Sequence, residues 1–465
     1  MLSRAVPPTL LVALGDELDS ESFPKRRGVI SAFSTRLHVR RHDARGRCRH
    51  AAATTGDAPL SILHRRPEKT MSHRPRALLS ALTAMLALSA SACTEPTASR
   101  PATTQPQLAA VKFWEAGSSV AWNQTAREII TARGGGSPGT QSRILTYLSV
   151  AQYNAIIAAE DAKERGDHAS PAAAAAGASV VVLKSFFPLD GALLDTRLLA
   201  QRGAATWPGE KTENFAAGET IGRAIGALVV AYAATDGVNL TTPLPNPGGP
   251  GSWTGVNSLR GFYGARTFAL TSGDQFRPGP PPAFGSAEFN AALQEIRALS
   301  DGLTPAQLAI AQFWSPNGPA YMNGIASEMI VSHHSSEREA ARVLAVANMA
   351  GFDVLNACFD AKFAYYLIRP SQADPMINLP IGLPNHPSYP SGHSCITSAY
   401  ATVLTSAFPD ERSRLDAMVV EAGVSRMYGG LHYRFDCEVG QALGRQVADY
   451  VMRVTAGGHT AIPLD

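Results

Sequence analysis

Between Lys362 and Asp436 the chain gathers the side chains that oxyanion chemistry needs. Lys362 lies in AKFAYY and Arg369 precedes Pro370. His393 closes Tyr389-Pro390-Ser391-Gly392-His393. Arg426 follows Ser425, and His432 and Asp436 follow MYGGL. Lys362 and Arg369 are seven apart, which on a helix puts them on one face, two turns apart. His432 and Asp436 are four apart and meet on one face if a helix begins by His432. A salt bridge is the ordinary fate of any one of these residues. Together, in surroundings rich in Ala, Leu, Phe and Tyr, they make sense around a compact, multiply charged oxyanion, since a buried cation needs a partner. Arg offers such an anion a planar fork of donors, and Lys a point charge.

The segments KFAYYLIRP, PSYPSGHS and SRMYGGLHYRFD resemble the three-part signature of the vanadium-dependent haloperoxidase and type 2 phosphatidic-acid phosphatase superfamily: K-x6-RP, PSGH and SR-x5-H-x3-D. Every fixed position is filled. NMAGFDVLNACFDAKFAYYLIRP, SRILTYLSVAQYNA and DQFRPGPPPAFGSAEF are similar to the soluble bacterial haloperoxidase-like branch. The resemblance implies that Lys362, Arg369, Ser391, Gly392, Arg426 and His432 bind vanadate or phosphate. His432 would ligate vanadium as vanadate, or attack phosphorus to form phosphohistidine. Asp436 would fix the His432 tautomer and raise its basicity, and His393 would act as acid–base on the opposite side. Ser425 would support the turn at Arg426, and Tyr365, Tyr366, Tyr389 and Tyr428 would line an entrance or stack in the core.

Two chemistries share such a cradle, because vanadate is a five-coordinate-capable analogue of phosphate. The resemblance implies a vanadate-dependent enzyme that oxidises halide with hydrogen peroxide. Its alternative is a soluble acid phosphatase acting on phosphomonoesters with no cofactor. The extra helical region before Lys362 favours the first. The short run of 32 residues (394–425) between His393 and Arg426 favours the second. A non-catalytic oxyanion-binding protein is a third reading, which the His393, His432 and Asp436 set disfavours. The family also admits a homo-oligomer.

The elements that must position these residues read as helices. Candidate spans are 108–130, 141–159, 171–187, 193–205, 214–235, 286–299, 305–314, 322–332, 337–367, 394–408, 415–428 and 432–454. Thr304-Pro305 is a strong helix start, and Pro370 and Pro409 are stops. Gly218, Gly222 and Gly226, four apart, suit close helix contact rather than a phosphate loop. Residues 237–286, rich in Gly and Pro, form an irregular excursion that serves as a lid or a wrap; Arg277 within it reaches an anion or a surface salt bridge. The predicted class is all-α: a helical bundle of the haloperoxidase/phosphatase type, with an N-terminal helical region over 108–300 and a catalytic helical core over 301–458.

The chain has 41 Lys/Arg and 38 Asp/Glu. Residues 1–70 hold 13 basic against 7 acidic residues, and Arg74 and Arg76 follow, which leaves 26 basic and 31 acidic from Cys93 onward. The basic balance therefore belongs to the leader and gives no support for nucleic-acid binding. Residues 1–70 read as an unstructured upstream extension, with a basic arm as the other reading. Residues 71–92 read as an export signal, too short in its apolar run for a membrane span. Cys93 follows a small-residue triplet and offers a lipid-anchor site, with 93–107 as a tether. The expected location is the bacterial periplasm or cell envelope. Cys358, Cys395 and Cys437 form no disulfide framework, and His333-His334 with these cysteines lack zinc-ligand spacing.

Overall fold

The structure, a computed structural model, describes residues 117–204, 212–238, 244–255 and 261–457. The upstream extension, the export signal, Cys93 and the tether lie outside these residues. Among the described residues there are helices and a single isolated β-bridge, Ser252 with Leu367, and no strand. The all-α reading is correct. The helices are α1 (Ser118–Ala132), α2 (Pro138–Glu164), α3 (Pro171–Phe186), α4 (Gly191–Ala204), α5 (Thr212–Ala233), α6 (Ala287–Asp301), α7 (Pro305–Trp314), α8 (Pro319–Ser332), α9 (Glu337–Tyr365), α10 (Pro370–Ala373), α11 (Gly392–Ala407), α12 (Arg412–Tyr428) and α13 (Arg434–Val454).

Local chemistry explains where these helices start. Ser137, Ser170 and Thr304 each precede a proline and accept a hydrogen bond from the backbone three residues on. Proline lacks only an N–H that would have no intrahelical partner there. Thr304 with Gln307, and Ser336 with Glu339, complete reciprocal capping boxes.

The 29-residue helix α9 is the axis of the bundle, buried from Ala340 to Phe363 apart from Arg342, Val343 and Phe359. It packs against α2 on one side and α11 and α13 on the other. One apolar cluster therefore draws on Leu145 and Leu148 from α2, Phe352 and Leu355 from α9, and Ile396 and Leu443 beyond. At the bundle's edge α3 and α5 press together. A Cβ added at Gly218, Gly222 or Gly226 would run into the backbone of Ser170, Ala174 or Ala178. The glycine spacing is a helix-contact device.

The predicted helix 337–367 ends two residues early. Tyr366 turns left-handed (φ 48°) and its N–H donates to Lys362 O. Leu367 and Ile368 then run extended beside Gly251–Trp253, with hydrogen bonds from Trp253 N to Tyr366 O (2.7 Å) and from Ile368 N to Gly251 O (2.9 Å). Arg369 is thereby not on the Lys362 helix. The irregular stretch between α5 and α6 is strapped to α9. Buried Asp353 accepts from the backbone N–H groups of Phe268, Ala269 and Leu270 at 2.7–3.0 Å. Arg277 pairs with Asp360 at 2.5 Å, which fixes it as a strap contact. Tyr365 and Tyr389 donate their hydroxyls to Pro278 O and Gly279 O. These tyrosines fasten the strap.

Candidate active site

Lys362 sits in the last turn of α9, fully buried, and Nζ donates to the carbonyls of Pro387, Ser388 and Pro390 at 2.9, 2.7 and 2.5 Å. Because the chain turns at Tyr366, Arg369 arrives from the start of α10 and meets Lys362 by convergence, not along one helical face. Its Nη1 donates to Leu431 O (2.8 Å) and to His432 Nε2 (3.0 Å); Nε and Nη2 donate to His386 O and Nδ1. Arg426, in the last turn of α12, donates to Ser425 Oγ (3.0 Å) and Ala311 O (3.1 Å). Ser425 supports the Arg426 side chain as expected.

Ser391 caps α11 and its own N–H donates to Asp436 O at 2.9 Å. A Cβ at Gly392 would meet no heavy atom within 4 Å, so the space beside this helix start is open to a ligand. Two further glycines bring α13 against it. A Cβ at Gly440 or Gly444 would strike Ser391 O or Cys395 O. Small residues in α13 thus let His432 and Asp436 reach the Ser391–His393 turn.

His432 precedes α13, whose N-cap is Tyr433. The predicted shared helical face is absent. Instead Asp436, in the first turn, reaches back: Oδ2 accepts from His432 Nδ1 (2.8 Å), Ser388 Oγ (2.5 Å) and Tyr433 N (3.2 Å). Its Oδ1 is buried with no partner. A carboxylate only accepts, so His432 carries its proton on Nδ1 and a lone pair on Nε2, where Arg369 donates. His393 Nε2 donates to Trp314 O at 3.0 Å, which leaves Nδ1 to accept a proton.

Burial governs the titration of these groups, and neighbouring charge comes second. Burial lowers Lys362 to about 8 and both Arg369 and Arg426 to about 10. Burial and then the Arg426 charge bring His393 down to about 3. His432 is held well below its ordinary value, by burial first and then by Arg369 and Lys362. The expected gain in His432 basicity from Asp436 is overridden. Asp436 rises to about 6 through burial, opposed by the Ser388 hydroxyl.

Lys362, Gly392, His393, Arg426 and His432 all line one cavity of about 840 Å³. Arg369 and Ser391 stand behind them. The four tyrosines considered for an entrance do not line it. His386 does, and sequence reasoning passed over it. It is half-buried, its ring lies 5.4 Å from that of Phe359, and it holds Arg369 through Nδ1. Its position seven residues before His393, in a Pro-rich loop, was the available signal. His333 caps α8 and pairs with Asp410, far in role from the cradle. Among the described residues no His/Cys/Asp/Glu cluster could hold a metal ion, and Cys358, Cys395 and Cys437 are buried and free.

Residues 341–457 match the sequence profile of the PAP2 superfamily. Among solved structures, the chain is similar to the first bacterial vanadium-dependent iodoperoxidase, with a TM-score of 0.61 and 24% identity over 74% of this chain and 97% of the other. It is also similar to the apo and holo forms of a bacterial vanadium-dependent chloroperoxidase. For the apo form the TM-score is 0.56 and the identity 15%, over 68% of this chain and 93% of that one. For the holo form they are 0.54 and 14%, over 70% and 95%. No functionally curated protein matches the chain by sequence. The fold is therefore the helical bundle of the PAP2/vanadium-haloperoxidase type.

Proposed function

We propose that this chain is an exported, vanadate-dependent haloperoxidase that oxidises halide with hydrogen peroxide. One observation carries its oxyanion site, and the extra helical region before Lys362 favours vanadate over phosphate there. Three buried cations, Lys362, Arg369 and Arg426, converge where Asp436 is the one carboxylate bonded into the cluster among the described residues. Carbonyl oxygens and a neutral imidazole solvate these cations but do not balance their charge. A multiply charged oxyanion would.

The donor set fits vanadate. Arg369, Arg426, Ser391 and the Gly392 N–H would hold its oxygens, Lys362, whose three N–H groups go to the Pro387, Ser388 and Pro390 carbonyls, would supply charge alone, and His432 Nε2 would ligate it. When bound, vanadate activates hydrogen peroxide toward attack by halide. The chain's own residues do the rest. Lys362 and Arg369 neutralise charge and set orientation. Asp436 holds the His432 proton on Nδ1, which leaves the Nε2 lone pair unprotonated beneath the Arg369 N–H. His393, neutral at ordinary pH, accepts a peroxide proton at Nδ1. The export signal of residues 71–92, the anchor at Cys93 and the division near residue 300 complete the proposal on sequence grounds.

A second reading, hydrolysis of a soluble phosphomonoester through phosphohistidine at His432, is favoured by the short run between His393 and Arg426. That run holds only α11 beyond its first two residues, a single 3-10 turn and most of α12. The test is a paired assay: bromide and iodide oxidation with peroxide after vanadate loading, and metal-free hydrolysis of a phosphomonoester. Vanadate-dependent halide oxidation with negligible hydrolysis is the expected result. Hydrolysis inhibited by vanadate, without halide oxidation, overturns it in favour of the phosphatase.

A further inference from the structure

Helix α7 ends against the active site, and it lies outside the residues that match the superfamily profile, which begin at 341. The last carbonyls of a helix have no partner within it and gather partial negative charge. In the last turn of α7, Ala311 O accepts from Arg426 Nη2 (3.1 Å) and Trp314 O accepts from His393 Nε2 (3.0 Å). One helix end therefore holds two site residues. Among the described residues Trp314 O is the only hydrogen-bond partner of the His393 ring.

The Trp314 side chain keeps α7 there. It is 1% exposed, and its ring packs edge-on against those of Phe313 and Tyr321, with centroids 5.5 and 5.6 Å away. A buried indole N–H needs an acceptor, and Nε1 donates to Glu421 Oε1 at 2.9 Å. Glu421 is an exposed residue of α12, five positions before Arg426. The indole thus ties α7 to the helix that carries Arg426, while the carbonyl of the same residue takes the His393 proton-bearing nitrogen. We infer that Trp314, anchored by Glu421, is a positioning residue for His393: it fixes the ring with Nε2–H turned to α7 and leaves Nδ1 as the base. The inference rests on the acid–base role proposed for His393 and names what holds that residue in place.

Exchange of the His393 Nε2 proton with water reads this contact without turnover. The vanadate-free chain is isotope-labelled at histidine for magnetic resonance, and the signal is identified by its loss in His393→Ala. Exchange about tenfold faster than in the parent is expected in Trp314→Phe, which keeps a ring, and in Glu421→Ala. Glu421→Gln keeps an acceptor for the indole and should match the parent. Equal exchange in parent and all variants overturns the positioning. So does a Gln variant as fast as the Ala variant, because the effect would then belong to the Glu421 charge. Vanadate loading then separates positioning from general loosening of the site. Bromide oxidation should lose about tenfold in kcat in Trp314→Phe and Glu421→Ala and recover in Glu421→Gln. Orthovanadate affinity should stay within about twofold, since Arg426 keeps its bond to Ser425 Oγ. Unchanged kcat, or affinity lost in step with kcat, overturns the role. If the parent oxidises no halide but hydrolyses a phosphomonoester, the haloperoxidase reading falls. The kcat of hydrolysis is then read in the same variants, and the exchange result still decides the role of Trp314.

Discussion

His432 and Asp436 act as one unit. The Asp436 carboxylate decides which ring nitrogen holds the proton, while burial and the neighbouring cations decide that the ring is neutral. His432→Ala removes the nitrogen itself and is expected to abolish both halide oxidation and phosphomonoester hydrolysis. Asp436→Asn retains the volume but lets the tautomer reverse, and should cost about 10–100-fold in activity or oxyanion affinity. Steady-state kinetics of the two variants check this; parent-like rates in either would remove it from the site. The residue types of the cradle were legible because each carries a fixed charge or donor at a fixed spacing. What was not legible was how they converge. Arg369 reaches Lys362 only because Tyr366 turns left-handed, and a Tyr gives no sequence signal for that conformation. His386 escaped because a lone His in a loop has many fates.

At the scale of elements, helix contacts set by glycine bring the pieces together. The Gly218/Gly222/Gly226 face was readable because its period matches a helical ridge. Gly440 and Gly444, equally spaced, do the same beside the active site. Gly222→Ala is expected to destabilise the chain by about 2 kcal/mol through overpacking against Ala174. Gly203→Ala, in the last turn of α4 with open space around it, should be neutral or slightly stabilising. Urea unfolding of the pair measures the difference, and equal midpoints would contradict close packing of α3 and α5. The helix start at Thr304-Pro305 was legible because capping is local, whereas the span read from 141 begins three residues after the start at Ser137-Pro138. The end of α9 was not, because the competing interaction is the distant Gly251–Trp253 backbone.

For the whole molecule, the strap between α5 and α6 is tied to α9 by Asp353. Burial raises its carboxyl to about 6 against the opposing pull of three backbone N–H groups. Its folded value lies above the ordinary carboxylate value. Its contribution to stability is therefore full below about pH 4 and is lost as pH rises through about 6, by up to about 3 kcal/mol. Asp353→Asn should lower stability overall yet flatten its difference between pH 4.5 and 7. His393 and His432, held low, change stability in the opposite sense on acidification, but do so alike in parent and variant. Denaturation at the two pH values reads the difference, and parallel profiles would contradict the assignment. The strap was visible in the sequence as Gly and Pro, with Arg277 and aromatic residues such as Trp253 and Phe262 as candidate anchors. Its attachment to Asp353 depends on backbone N–H groups, which every residue but proline carries, so composition does not reveal it; Arg277 was legible only as a cation whose partner, Asp360, the sequence did not name.

The cradle's affinity for an oxyanion tests the account most directly. Isothermal titration of orthovanadate into the full chain should show one saturable site. Binding should be weakened at least tenfold in Arg369→Ala, which removes one of the three converging cations while leaving the fold intact by circular dichroism. No saturable binding by the parent chain, or equal affinity in parent and variant, would contradict it.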